Sequence, residues 1–318
     1  MLGFVYIYVW ILFVYTYVCG SAVFGVPIMD LICTSDTWEE YQVITWDYRG
    51  LFASTGGSEA LPTTYFSIRD NAMDGMELLK HLGYDDCYCM FGYSTGVQVA
   101  LEFAAMYPTC VDCLVLLNGT SKHLISSLLQ PLFRLPFLNE HIHQLLHLSS
   151  KLLITPPDVY STLKSVVFTI ITTFRYLVLK PICFLTNSNY EFFVTHYILE
   201  FFSSPTHSRN YLKYPAALDC HSAYHLLPEI TQPTLIVSGM LDILTPAYAS
   251  YEMNKLLPNS ELHCETFGTH FVLLEYPDKC GKWIKEFLER GWGEVMKGEV
   301  KNKKERRSRS RSKARKNK

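Results

Sequence analysis

The sequence predicts an α/β architecture, a mostly parallel sheet flanked by helices with a helical layer inserted between its two halves. Three observations predict it. Apolar runs of strand length alternate with segments apolar at helical spacing, from Tyr41 to Leu117 and again from Pro233 to Arg290. A Gly92-Tyr93-Ser94-Thr95-Gly96 stretch sits between one such strand and the helix after it. Ser94, Asp242 and His270 each fall directly after a predicted strand, at the end of a parallel sheet where polar residues collect in one crevice.

The 318 residues are 49% hydrophobic and 14% aromatic, enough for a sizeable core and too apolar for a disordered chain. The formal charge of -2 hides an asymmetry. Eleven Lys/Arg and one Glu between Lys301 and Lys318 give that segment +10 and leave -12 for the rest. An acidic body argues against nucleic-acid binding by the body, while the basic tail keeps RNA, anionic lipid or a nuclear signal open. The ten cysteines are scattered without a disulfide framework, and Cys110-x-x-Cys113, leading into the apolar run to Leu117, reads as packing.

Residues 2–19 carry no charge, and as a helix they rise about 27 Å, close to a bilayer's hydrocarbon thickness. The expectation is a single N-terminal membrane span and hence a membrane location. The competing reading is buried strands, because Val, Ile, Tyr and Phe favour sheet. A short strand is expected at Val23–Met29 and a clearer one at Tyr41–Trp46, ending in Asp47-Tyr48-Arg49-Gly50. Ile68–Leu82 alternates at helical spacing and stops at Gly83. The strand Cys87–Met90, the helix up to Pro108 and the strand Val111–Leu117 follow.

Residues 121–228 change character, being rich in Leu, Phe, Tyr and His and broken by prolines, and read as a helical lid. Val166–Thr186 is apolar but holds Arg175 and Lys180, which favours a lid helix over a second span. His141, His143 and His147 lack carboxylate partners, so no metal is expected there, and no cofactor elsewhere. The sheet resumes at Pro233–Gly239, with a helix near Pro246–Leu257, a strand at Glu261–Phe267 and a closing helix at Lys282–Arg290. The division is thus 1–20 hydrophobic segment, 21–120 first core part, 121–228 lid, 229–292 second core part and 293–318 disordered basic tail.

A Gly-x-Ser-x-Gly between strand and helix has a mechanical meaning. The turn is so tight that the serine is strained with its hydroxyl pushed outward, and only small residues fit two before and two after it. With Asp242 and His270 downstream in that order, the sequence resembles the alpha/beta-hydrolase superfamily, in its serine-nucleophile, esterase- and lipase-like branch. The resemblance rests on Asp47-Tyr48-Arg49-Gly50 with Ser54, the elbow at Ser94, Leu235-Ile236-Val237-Ser238-Gly239 with Asp242, and Gly268-Thr269-His270-Phe271. It implies Ser94 as nucleophile, His270 as general base and Asp242 as its orienter. A serine hydroxyl needs such a base, and the base needs a carboxylate to hold its tautomer. The residues alone leave a turn serine, a loop histidine and a helix N-cap as competing readings. Asp47 and Arg49 are read as structural.

The superfamily's His-Gly oxyanion motif maps onto Met29-Asp30 in this register. The expected donors and substrate contacts are Thr95, Leu31 and Tyr93. A carboxylate at Asp30 about 4 Å from a developing oxyanion costs about 4 kcal/mol at an effective dielectric of 20, near a thousandfold in rate. The resemblance implies acyl transfer through an acyl-enzyme, and the greasy lid suggests an apolar small-molecule or lipid acyl substrate. The alternative is a catalytically impaired hydrolase-fold protein that binds an apolar ligand or partner through the lid.

Overall fold

The computed structural model describes residues 11–16, 41–49, 54, 67–123 and 221–290. Within them six parallel strands form one sheet in the order β2-β1-β3-β4-β5-β6. The strands are β1 (Ile11–Thr16), β2 (Tyr41–Thr45), β3 (Cys87–Tyr93), β4 (Val111–Leu117), β5 (Thr234–Gly239) and β6 (Ser260–Glu265). Five α-helices and a 3-10 helix (Tyr224–Glu229) accompany them: α1 (Ile68–His81), α2 (Thr95–Met106), α3 (Ala247–Leu256), α4 (Val272–Glu275) and α5 (Pro277–Arg290).

The N-terminal stretch is where the structure corrects the sequence. Ile11–Thr16 is not part of a membrane helix but an interior strand, paired parallel to β2 on one side and β3 on the other. Among the described residues no helix is long and apolar enough to cross a membrane. The physical reason is that an uncharged run rich in Val, Ile, Tyr and Phe satisfies two environments equally well. An interior strand of a parallel sheet is buried on both faces and reads as a continuous apolar run, just as a membrane helix does. Two flanking strands for its backbone hydrogen bonds decide the case here. The expected strand at Val23–Met29, the bulk of the expected lid, Val166–Thr186, the three histidines from His141 to His147, and the tail lie outside the described residues.

Helices cover both faces of the sheet, because alternate strand residues need cover above and below. On one face Ile44, Met90, Leu114, Leu116 and Ile236 pack under α1, α2 and Met253 of α3. On the other, Phe91, Val115, Leu117, Leu235 and Val237 pack under α4 and α5 through Val272, Ile284, Phe287 and Leu288. Each such fully buried side chain contributes about 1.5–3 kcal/mol. Cys113 is among them, with its thiol directed at the Tyr88 carbonyl, in keeping with the packing role read from its apolar setting.

Helix α1 begins where Ser67 caps it: its side-chain oxygen accepts from the Asp70 N–H at 3.0 Å. It ends at Gly83, whose φ of 84° only glycine adopts without strain. Arg49, in the loop after β2, donates from Nε to Asp74 Oδ2 at 2.7 Å and pairs through its second nitrogen with Oδ1. This bidentate pair ties the loop to α1, which accords with the structural role expected of Arg49. The chain leaves the described core after His123 and returns at His221 at one place, since Ser222 Oγ donates to the Ser121 carbonyl at 3.3 Å.

Candidate active site

Ser94 sits at the junction of β3 and α2 with φ 52° and ψ -113°. A non-glycine residue in that region is strained and persists only where its surroundings hold it. The surroundings here are tight. A Cβ on Gly92 would lie 2.5 Å from the Gly96 carbonyl oxygen, so the close approach of the two chain segments requires a glycine at 92. The Ser94 N–H donates to Leu117 O at 2.9 Å, fastening the elbow to the end of β4. Beside it, a Cβ on Gly119 would meet Val97 at 2.2 Å and the Ser94 carbonyl at 3.0 Å.

Asp242 follows β5 and His270 follows β6, and the fold brings the two together. His270 Nδ1 lies 2.8 Å from Asp242 Oδ2, in a setting where the residues are 5% and 4% exposed. Burial by itself would raise the Asp242 carboxyl. The hydrogen bond and charge of His270, the Thr245 N–H and the Asn118 amide outweigh it and hold the group below its ordinary value. The carboxylate is therefore the resting form. It accepts the Leu244 and Thr245 N–H groups on Oδ1, each at 2.8 Å, and Asn118 Nδ2 on Oδ2 at 2.9 Å. An acceptor-only oxygen at Nδ1 fixes the imidazole proton on that nitrogen and frees the Nε2 lone pair to act as a base.

Asn118 and Thr245 were not singled out from the sequence. Asn118 lies just past β4 at φ 43°, one of the few non-glycine residue types that tolerate this conformation. Thr245 Oγ1 lies 2.7 Å from both Asp242 Oδ2 and the Asn118 carbonyl. Asn118 is 124 residues from Asp242 and 127 from Thr245, which hid the cluster, although Asn118, like the triad candidates, directly follows a strand.

The other sequence candidates divide. Thr95 opens α2, where backbone N–H groups lack helical partners and point toward negative charge. Tyr93 is buried beneath the histidine: its hydroxyl donates to the His270 carbonyl, and the two rings stand 5.4 Å apart. Met29, Asp30 and Leu31 lie outside the described residues. The loop carrying His270 is braced by Glu275, which accepts the Thr269 N–H at 2.8 Å and the Thr269 hydroxyl at 2.6 Å. Among the described residues no group of His, Cys, Asp or Glu is arranged to hold a metal ion.

Comparison with known proteins agrees with this architecture. The family of the alpha/beta hydrolase fold matches residues 31–277. A Pseudomonas savastanoi pv. phaseolicola protein, provisionally named as the carbamate hydrolase RutD, is 26% identical over 253 residues, covering 78% of this chain and 84% of its own length. A hydrolase from Pseudomonas aeruginosa PA01 superposes with a TM-score of 0.63 at 16% identity, over 87% of this chain and 89% of that one. A thermophilic esterase from Thermogutta terrifontis does so with a TM-score of 0.60 at 17% identity, over 88% and 89%. With the match spanning most of its length and the sheet and helices in place, the chain is a hydrolase of the alpha/beta-hydrolase family.

Proposed function

We propose that this protein is a serine hydrolase that cleaves an acyl bond through Ser94, His270 and Asp242. The observation that carries the proposal is the strained Ser94 elbow in the same molecule as a buried Asp242–His270 pair at 2.8 Å. His270 Nε2 takes the Ser94 proton as Oγ attacks the acyl carbonyl. The imidazolium so formed is stabilised by Asp242 and returns the proton to the leaving group. Water then enters, is deprotonated by His270 and releases the acid. A serine nucleophile with this pair serves esters, thioesters, amides and carbamates alike. The name of the RutD relative makes carbamates a bond class to test beside esters.

The oxyanion would be held by the Thr95 N–H at the start of α2 and by a second backbone donor. Strand β1 ends at Thr16, abreast of Gly92, two residues before the nucleophile. Several apolar side chains favour an apolar acyl group. Met240, Leu241, Ile243 and Leu244 flank Asp242 in sequence, and Phe267 precedes the His270 loop; Ile243 is 78% and Phe267 70% exposed.

The test is labelling by a fluorophosphonate probe, which needs an activated serine and no knowledge of the substrate. Labelling of the wild type that vanishes in Ser94→Ala is expected. A folded wild type that stays unlabelled would instead favour a ligand-binding member of the fold. For the acyl group, long-chain esters should turn over faster than short water-soluble ones, and the reverse order rules out the apolar assignment.

A further inference from the structure

We propose that Asn118 and Thr245 are positioning residues that hold the Asp242–His270 pair in its working geometry, a role that rests on the serine-hydrolase reading above. Asp242 Oδ2 lies within hydrogen-bond reach of three groups: His270 Nδ1 at 2.8 Å, Asn118 Nδ2 at 2.9 Å and Thr245 Oγ1 at 2.7 Å. The chemistry of the partners fixes the donors. Asn118 faces the carboxylate and, at 3.1 Å, the Thr269 carbonyl, both of which only accept, so its amide nitrogen must point at them. The single Thr245 hydroxyl proton has a choice between Asp242 Oδ2 and the Asn118 carbonyl. The two distances are equal, and the carboxylate, being charged, is the stronger acceptor and takes the proton.

Asn118 thereby joins three of the site's parts. Its neighbour Leu117 accepts the Ser94 N–H, its own N–H donates to Val237 of β5, and its side chain reaches both the acid and the residue before the base. Thr245 Oγ1 is also 3.2 Å from His270 Nδ1, so the imidazole N–H lies in a fork between the hydroxyl and the carboxylate. The groups packed on His270 from other elements are Asp242 and Thr245 from the β5–α3 loop and the Tyr93 ring from β3. Glu275 braces Thr269 from α4.

Each donor to Asp242 draws off some of its negative charge, so each weakens the pull of Asp242 on the imidazole proton. Removing one donor concentrates the charge and makes His270 harder to deprotonate. The experiment is an NMR titration of the His270 ring in the full chain, comparing wild type with Asn118→Gly, Thr245→Val and Thr245→Ser. Thermal melting reports the folding of each. Glycine accepts the left-handed backbone at 118, and serine keeps the hydroxyl at 245. The titration midpoint should rise by about 0.5–1 pH unit in Asn118→Gly and in Thr245→Val, and return toward wild type in Thr245→Ser. Unchanged midpoints in the folded variants overturn the proposal, since a merely structural role lowers the melting temperature without moving the titration. If one variant fails to fold, the midpoint of the other decides. The ring titrates whether or not Ser94 reacts, so an unlabelled wild type refutes the hydrolase reading and leaves this measurement standing.

Discussion

At the scale of single residues, Asp242 keeps its charge in a place that disfavours charge, and this gives a sharp prediction. Asp242→Asn preserves the shape but replaces an acceptor with an amide that can point its own N–H at Nδ1, favouring the other imidazole tautomer. On the proposed mechanism, turnover should fall about a thousand- to ten-thousandfold, measured as kcat/KM on whichever ester or carbamate the wild type accepts. A loss below tenfold would mean that Asp242 is a helix cap after all. That Ser94, Asp242 and His270 each follow a strand was legible, because the sequence shows where strands stop. Asn118 and Thr245 were not, because their meaning lies in contacts across 124 and 127 residues of chain. An Asn after a strand and a Thr before a helix are ordinary turn residues until the fold shows what they face.

At the scale of elements, β1 is the instructive one. Most strands and helices were readable, since helices announce themselves by spacing and stops, as Ile68–Leu82 and Gly83 do for α1. The short α4 after His270 was missed because four residues are too few to show a period. Strand β1 failed for a different reason: composition alone does not distinguish an interior strand from a membrane helix. The pairing of β1 is testable through the backbone alone. Val14 lies opposite Ile44 on one side and Met90 on the other. Val14→Pro removes an N–H from a doubly paired strand, where proline is hardly tolerated, so stability should drop by about 3 kcal/mol or more. Urea unfolding of the purified protein gives the answer, and a midpoint within error of wild type would show that β1 does not belong in the sheet.

At the scale of the whole molecule, stability should depend on pH through a buried group at the point where the chain re-enters the core. His221 opens the second described part of the core and lies against Glu102 of α2, with Nε2 3.4 Å from Oε1. That approach lacks hydrogen-bond geometry, and among the described residues Nε2 has no hydrogen-bond partner. Burial, with the neighbouring His123 and His225, pushes His221 down to about 4. Burial also raises the Glu102 carboxyl, with Arg69 and His225 opposing. Both shifts disfavour charge, and with His221 neutral above about 4 the pair is a contact rather than an ion pair. The sign follows from proton counting. Between pH 6.5 and 4 the unfolded chain binds a proton at His221 that the folded chain refuses, so stability is full above this window and declines as pH falls through it. The full decline is about 3 kcal/mol for a shift of this size. Glu102 acts in the opposite sense, favouring the folded state once pH falls below its raised value, so it offsets part of the loss. His221→Gln removes the titrating ring and should flatten the fall in melting temperature between pH 6.5 and 4. An equally steep fall in the variant would mean that groups other than His221 govern stability in this window, since Asp242, with its lowered value, withdraws stability only at still lower pH.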